Sequence, residues 1–236
     1  MNAGAELAMV EGNAISQQDP YRVVSTADGD YRAKAVVIAA GSKLRKLGVP
    51  GEEEFFGRGV SECATCDGPL FKGEVVAVVG GGDSAADEAL TLTAFASRVL
   101  VIHRGSALTA QEYLRTRVRG SAKIQVLYNT VVERIVGEEA VSGVRVRDQS
   151  PTRERQLDVS GVFVFVGLQP STLESPIATD AAGHIPVTQW METEVAGIYA
   201  AGDIRQHSAR QLATAAGDGA TAAIAAHRYI KSRRWQ

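Results

Sequence analysis

The sequence is poor in the features that mark several classes of protein. It holds only two cysteines in 236 residues, which excludes a small secreted scaffold stapled by disulfides. Its net charge is −2 and it has no sustained basic stretch, so nucleic acid is not an expected partner. Neither an apolar run of the ~18 residues needed for a membrane span nor a signal-peptide pattern is found. We therefore expect a protein of the cytoplasm that does not enter the membrane.

The two cysteines lie in one motif, Cys63-Ala-Thr-Cys66, followed by Asp67. Two thiols separated by two residues can close a small disulfide ring and open it again. A zinc site would need two more ligands at close spacing, and the four histidines are scattered along the chain. A fortuitous pair is the other alternative. A predicted strand, glycine turn and helix follow the motif, and this context favours redox chemistry.

A glycine turn follows the cysteine motif. Residues 75–79 are an apolar run of strand length, and residues 83–95 have the spacing of a helix. Between them the sequence starting at Gly80 matches G-x-G-x-x-A, the pattern of a dinucleotide-binding turn. Such a turn lets a pyrophosphate reach the N–H groups and the positive end of the helix. A turn that serves only helix–strand packing is the alternative.

The next predicted strand, residues 99–103, ends in His103 and is followed by Arg104. About 20 residues after the glycines, a site for NAD usually places an acid against the ribose 2′-hydroxyl. A cation in that place suits a 2′-phosphate, so NADPH is predicted in preference to NADH. For Arg104 a solvated charge at the end of a strand is the alternative.

The remaining pattern predicts further elements, and together they indicate an α/β fold of doubly wound units. The expected elements are a hairpin of residues 21–26 and 31–40, a helix over 110–119, a three-stranded meander over 124–128, 131–137 and 141–148, a strand over 162–167 and a helix over 210–230.

These motifs, in this order, resemble the low-molecular-weight thioredoxin reductases of the flavoprotein disulfide reductase group. The resemblance also includes residues 193–203, which end in Gly202-Asp203, and Arg210-Gln211 before an alanine-rich segment. It implies two Rossmann-like nucleotide-binding domains, an NADPH domain inserted in an FAD domain. The implied NADPH domain with the cysteine pair is 45–172, and the FAD domain consists of 1–44 and 173–236.

The resemblance implies that electrons pass from NADPH through FAD to a Cys63–Cys66 disulfide. They then reduce thioredoxin or a similar small dithiol protein. It makes Cys66 the thiol that faces the flavin, Cys63 the thiol that exchanges with the partner, and Asp67 the acid that protonates a departing thiolate. For Asp67 a turn residue in the Asp-Gly bend is the alternative. A homodimer is also implied.

The resemblance assigns the cofactor contacts to two sets of residues, and no metal site is predicted. The NADPH contacts are Gly80, Gly82, Asp83, Ser84, Ala85, His103 and Arg104. The FAD contacts are Gly41, Gly202, Asp203, Arg210, Gln211 and Leu212. Asp203 would hydrogen-bond the ribityl chain, with a helix cap as the alternative. The start of the last helix would stabilise negative charge on the reduced flavin.

The sequence departs from the family pattern at three places. Family members begin with a βαβ unit that carries its own glycine motif, and none precedes Gly80, so we expect a truncated FAD domain. Gly105 and Thr109 stand where the family has further arginines. Residues 66–73 also resemble the flavoprotein subunit of alkyl hydroperoxide reductase. A peroxiredoxin-reducing flavoprotein and a catalytically inert NADPH-binding fragment are therefore the alternative functions.

Overall fold

The computed structural model describes residues 4–149 and 151–232. The chain divides into two compact units. One, here called the continuous unit, is residues 44–168; the other, the split unit, joins residues 1–43 to residues 169–236. The sequence predicts boundaries at 44/45 and 172/173, and which nucleotide each unit binds stays a prediction.

Fifteen strands are found in the described part of the chain. They are β1 (Gly12–Gln18), β2 (Tyr21–Thr26), β3 (Gly29–Ala33), β4 (Val36–Ile38), β5 (Ser42–Leu44), β6 (Val60–Ser61), β7 (Val75–Gly80), β8 (Arg98–Ile102), β9 (Ile124–Leu127), β10 (Thr130–Gly137), β11 (Val141–Gln149), β12 (Thr152–Asp158), β13 (Gly161–Phe165), β14 (Leu168–Pro170) and β15 (Ile198–Ala200).

The same residues form four α-helices: α1 (Ala64–Asp67), α2 (Asp83–Leu92), α3 (Glu112–Gly120) and α4 (Leu212–Lys231). Two 3-10 turns, Gly68–Phe71 and Gly202–Ile204, accompany them. Among the helices of the described residues, none is both long and apolar enough to cross a bilayer.

The continuous unit is built on a five-stranded parallel sheet in the order β6-β13-β7-β8-β9. Strand β7 is buried on both faces, because its alternate side chains enter two different cores. Val76 and Val78 pack with the helices, including Ala85 of α2. Ala77 and Val79 pack with the antiparallel sheet β10-β11-β12 on the opposite face. The α/β class with a Rossmann-like βαβ unit is therefore confirmed.

The split unit has an antiparallel sheet β1-β2-β3 and a parallel pair, β4 with β15. The 20-residue helix α4 covers β15. The helix face that packs on β15 consists of alanines and one tyrosine: Tyr199 lies in one buried cluster with Ala222, Ala225 and Tyr229. The Tyr199 hydroxyl donates to the Ala225 carbonyl oxygen at 3.3 Å, so a buried polar atom on β15 has a partner on the helix.

The predicted strand over 31–40 is wrong as a single element. The chain bends at Lys34, so that β3 pairs with β2 while β4 pairs with β15. The predicted strand over 124–128 is β9, an edge of the parallel sheet rather than part of the meander. The third strand of the meander is β12, which is polar and largely exposed and therefore lacks an apolar signal.

Two helices begin two residues later than the sequence pattern predicts. Helix α4 starts at Leu212 rather than at residue 210, because Arg210 has a left-handed backbone with φ of 55°. Helix α3 starts at Glu112 rather than at residue 110, because the Ala110 N–H bonds to the Gly81 carbonyl oxygen. The start of α4 is thus set by local backbone conformation, and the start of α3 by a tertiary contact.

Candidate functional site

The two cysteines follow β6 directly and are joined in a disulfide with their Cα atoms 5.3 Å apart. Cys63 caps α1, and the Cys66 N–H donates to Cys63 Sγ at 3.1 Å. Cys66 is exposed and Cys63 is half-buried. The sulfur pair therefore lies on a tight helical turn at the surface of the continuous unit, where a partner disulfide can reach it.

Ser61 orients the acid next to the cysteine pair. Its hydroxyl donates to Asp67 Oδ2 at 2.6 Å and accepts from the Cys63 N–H at 3.1 Å. Ser61 is buried, 4% exposed, at the end of β6. One hydroxyl thus fixes both the Asp67 carboxylate and the backbone of Cys63. The sequence analysis missed Ser61, because no motif distinguishes it from any other strand-end serine.

A second carboxylate contacts the cysteine turn from α2. The Ala64 N–H donates to Glu88 Oε2 at 2.8 Å. Ala64 is fully buried and Glu88 is half-buried. The sequence analysis missed Glu88 as well, since an acid on a helix normally indicates a solvated face, and only the packing of α1 on α2 brings the two together.

The glycine turn joins β7 to α2 as predicted, and two of its positions have no room for a side chain. A Cβ on Gly80 would lie 2.3 Å from the Phe165 carbonyl oxygen, and one on Gly81 would lie 2.2 Å from His103 Nδ1. The third glycine, Gly82, has no neighbour closer than 3.9 Å and is an N-cap without a side-chain hydrogen bond. The turn is thus packed on one side and open at the helix start, which fits a pyrophosphate.

The loop after β8 is fixed against this turn. The Gly81 carbonyl oxygen accepts from the N–H groups of Thr109 and Ala110, at 2.7 and 3.0 Å. The Asp83 carboxylate accepts from the Gln111 N–H and side-chain amide, at 2.7 and 2.8 Å. The Asp83 side chain is therefore engaged, and its N–H in the first turn of α2 is the group left for a phosphate.

The cation predicted for the coenzyme phosphate is solvent-exposed. Arg104 comes directly after His103, whose ring contacts the glycine turn, and its side chain is exposed. Ser84 is exposed and Ala85 is buried, both in the first turn of α2. The continuous unit thus brings together all the residues predicted to contact NADPH. Their role in binding stays a prediction.

In the split unit the residues predicted for FAD gather after β4 and β15. The Ser42 hydroxyl, next to Gly41, donates to the Asp203 carbonyl oxygen at 3.3 Å. The Asp203 carboxylate accepts from the Ser208 hydroxyl at 3.0 Å, and that hydroxyl accepts from the Arg210 N–H at 3.1 Å. These hydrogen bonds connect the ends of β4 and β15 to the segment that precedes α4.

The start of α4 is open to solvent. Its N-cap Gln211 makes no side-chain cap hydrogen bond, and Leu212 is 90% exposed. Uncapped N–H groups at a helix start attract negative charge. This arrangement fits the edge of a reduced flavin, and the assignment of Arg210, Gln211 and Leu212 to that edge stays a prediction.

A partly buried ion pair, which the sequence analysis also missed, stabilises this region. Arg205 Nε and Nη2 donate to the Asp218 carboxylate at 2.6 and 3.1 Å. The same carboxylate accepts from the Gly202 N–H at 3.2 Å, and Asp218 is 8% exposed. The pair thus links the glycine turn after β15 to the second turn of α4.

Across residues 4–149 and 151–232, no group of three or more His, Cys, Asp and Glu side chains could hold a metal ion.

The cysteine turn and the glycine turn follow β6 and β7, two strands of one parallel sheet. Carboxyl ends of parallel strands meet at one edge, which is where ligands bind in such sheets. The continuous unit therefore carries the disulfide and the glycine turn at the same edge of its parallel sheet.

Comparison with known proteins agrees with this chemistry. Residues 3–220 match the family model described as pyridine nucleotide-disulphide oxidoreductase. The chain is 45% identical to a thioredoxin reductase from Treponema pallidum over 96% of its length and 74% of that protein's length. It is 43% identical to the thioredoxin reductase of Bacillus subtilis over 97% of this chain and 73% of that one.

Solved structures give the same result. The Lactococcus lactis thioredoxin reductase matches with a TM-score of 0.91 and 38% identity, covering 97% of this chain and 77% of that one. The T. acidophilum thioredoxin reductase matches with a TM-score of 0.87 and 36% identity, covering 94% of this chain and 74% of that one. These relatives do not favour the peroxiredoxin-reducing alternative. The chain therefore belongs to the pyridine nucleotide-disulphide oxidoreductase family, and within it to the thioredoxin reductases, disulfide oxidoreductases that use a flavin and a pyridine nucleotide.

Proposed function

We propose that this chain reduces the disulfide of thioredoxin, or of a similar small dithiol protein, with electrons from NADPH that pass through FAD and the Cys63–Cys66 pair. The observation that supports it most directly is the disulfide at the surface, with Cys66 exposed, at the same edge of the parallel sheet as the glycine turn. We also propose that the protein works in the cytoplasm as a homodimer. Sedimentation velocity of the purified protein tests the dimer.

The exchange step uses three side chains of the cysteine turn. The Cys63 thiolate attacks one sulfur of the partner disulfide and forms a mixed disulfide, and the partner's other sulfur leaves as a thiolate. Asp67, held by the Ser61 hydroxyl, takes the proton that the Cys63 thiol loses on becoming a thiolate and passes it to the partner's leaving thiolate. Cys66 then gives up its proton and attacks Cys63 Sγ, which closes the Cys63–Cys66 disulfide. The partner's second sulfur leaves as a thiolate and takes up that proton, so the partner is released as a dithiol.

Two groups of residues would hold the cofactors. For NADPH, the open start of α2 at Gly82 and the Asp83 N–H would hold the pyrophosphate, and Arg104 the 2′-phosphate. For FAD, Asp203 and the uncapped start of α4 would hold the ribityl chain and the flavin edge. When bound, NADPH supplies a hydride and FAD accepts it and relays two electrons to the disulfide.

The first test is the visible spectrum of the purified chain after incubation with FAD and desalting, followed by anaerobic addition of NADPH. A retained flavin band that bleaches on adding NADPH supports the proposal. If no flavin is retained while NADPH still binds, the chain is a nucleotide-binding module, and the alternative of an inert fragment is correct.

The roles of the two cysteines are tested by trapping. Cys66→Ser removes the thiol that resolves the mixed disulfide, so oxidised thioredoxin added to the reduced variant should stay covalently attached through Cys63. Cys63→Ser should give several-fold less adduct, because it lacks the attacking thiolate. The adducts are counted on a non-reducing gel. A stronger adduct with Cys63→Ser would reverse the assignment.

A further inference from the structure

The helix that carries the cysteine pair is too short to be stable alone. Helix α1 has four residues, and one turn gains too few hydrogen bonds to offset the ordering of its backbone. Its geometry must therefore come from contacts with its surroundings. Those contacts decide how well the two thiols are held at the distance that a disulfide requires.

Two such contacts come from α2 and the turn after it. A Cβ on Gly68, just after α1, would lie 2.8 Å from the Phe95 ring and 3.4 Å from Leu92, so the end of α1 is pressed onto this surface. At the other end of α1, Glu88 Oε2 accepts from the Ala64 N–H at 2.8 Å.

The Glu88 contact differs from ordinary helix capping. The cap residue of α1 is Cys63, whose sulfur accepts from the Cys66 N–H. The Ala64 N–H, one of the orphan donors at the helix start, is bonded instead by a carboxylate 24 residues further along the chain. In the described part of the chain no Lys, Arg or His lies within ion-pair distance of Glu88. The contact with the cysteine turn is therefore not a by-product of an ion pair.

We propose that Glu88 is a positioning residue for the reacting disulfide: its carboxylate holds the Ala64 N–H and so keeps Cys63 and Cys66 in the geometry that closes the ring. The inference rests on the proposed function only in taking Cys63–Cys66 as the reacting pair. A charge-assisted hydrogen bond is stronger than a neutral one. Its loss frees the turn in the dithiol form, so the two sulfurs meet less often and the disulfide becomes easier to reduce.

The test is a thiol–disulfide equilibrium of the full chain with mixtures of reduced and oxidised dithiothreitol, quenched by alkylation and read by mass spectrometry. In this reaction dithiothreitol gives two electrons and two protons to the Cys63–Cys66 disulfide and closes its own ring. We expect Glu88→Ala to lower the equilibrium constant for closing Cys63–Cys66 about tenfold, which is about 30 mV in midpoint potential.

Three further variants make the result specific. Glu88→Gln keeps an oxygen that can accept from the Ala64 N–H and should stay within about threefold of the parent. Glu88→Asp keeps the charge but shortens the side chain, and should behave like Glu88→Ala. Asp87→Ala removes the neighbouring exposed acid and should change nothing. If Glu88→Ala does not fold, Glu88→Asp and Glu88→Gln decide.

An equilibrium constant unchanged in Glu88→Ala or, if that variant does not fold, in Glu88→Asp would overturn the proposal. So would a Glu88→Gln variant shifted as far as Glu88→Ala, because charge rather than the hydrogen bond would then be responsible. The measurement contains no flavin, nucleotide or thioredoxin. A chain that fails to reduce thioredoxin but still shows the Glu88 effect would therefore contradict the proposed function alone.

Discussion

Arg104 is the single residue on which the predicted coenzyme preference depends. It follows His103, whose ring occupies the space beside Gly81, and its side chain is exposed to solvent. We expect Arg104→Ala to weaken NADPH binding about tenfold, because a charge-assisted hydrogen bond is lost at a solvated site. NADH binding should not change, because NADH lacks the 2′-phosphate. Titration calorimetry with both coenzymes measures the two affinities.

The matched control for Arg104 is Arg117→Ala. Arg117 is an exposed cation on α3 that lies over the Tyr113 ring, 5.5 Å from its centroid. The substitution Arg117→Ala should leave the affinities for NADPH and NADH unchanged. Loss of NADPH affinity in Arg117→Ala, with none in Arg104→Ala, would place the phosphate on the helix face and contradict the assignment.

At the scale of elements, one carboxylate connects the three strands β10, β11 and β12. Asp148 on β11 accepts from Thr130 on β10 at 3.0 Å and from two nitrogens of Arg155 on β12 at 3.0 and 3.1 Å. The hydrogen bond from Arg155, and then the one from Thr130, lower the pKa of Asp148 below its usual value. The carboxylate form is thus favoured in the folded state.

A lowered pKa in the folded state makes the contribution of Asp148 depend on pH. The stabilisation is complete above the unfolded pKa of about 3.9 and is lost as pH falls through the folded pKa. We expect Asp148→Asn to lower the free energy of unfolding by about 1 kcal/mol at neutral pH, since the group is partly exposed. The difference should shrink in strong acid. Urea unfolding followed by circular dichroism measures the free energy of unfolding of parent and variant at neutral pH and in strong acid.

Asp158→Asn on the neighbouring strand β12 is the control for this prediction. Asp158 is exposed, and its carboxylate accepts a long hydrogen bond, 3.4 Å, from the Gln156 side-chain amide. It should change stability by no more than a few tenths of a kcal/mol. If Asp148→Asn lowers the free energy of unfolding by the same amount in strong acid as at neutral pH, the loss comes from the shape of the side chain rather than from its charge, and the prediction is wrong.

The sequence predicts the elements whose signal is local, and it fails where a distant partner decides. Strand β7, the glycine turn and α2 follow from an apolar run, three glycines and helical spacing. The break between β3 and β4 does not, because the Val36 N–H bonds to the Gly197 carbonyl oxygen far along the chain. Ser61 and Glu88 could not be predicted either, because their partners are set by tertiary packing. Their roles arise from packing around α1, which no spacing in the sequence encodes.

At the scale of the whole molecule, the continuous unit contains its own core. Both hydrophobic clusters that enclose the parallel sheet are formed by residues 44–168 alone. We therefore expect this segment, expressed by itself, to unfold cooperatively and to bind NADPH with an affinity within about threefold of the full chain. Circular dichroism on heating and titration calorimetry measure the two properties. Non-cooperative melting of the segment would contradict this independence.

The pairing of β4 with β15 also has a consequence for synthesis on the ribosome. Ile38 and Ile198, both buried in the same core, are separated by about 160 residues. At about 5–20 residues per second, roughly 10 to 30 s pass between their emergence from the exit tunnel. During that time β4 lacks its β15 partner, while the continuous unit, residues 44–168, emerges between the two strands. A chaperone that binds extended apolar segments would find its target there.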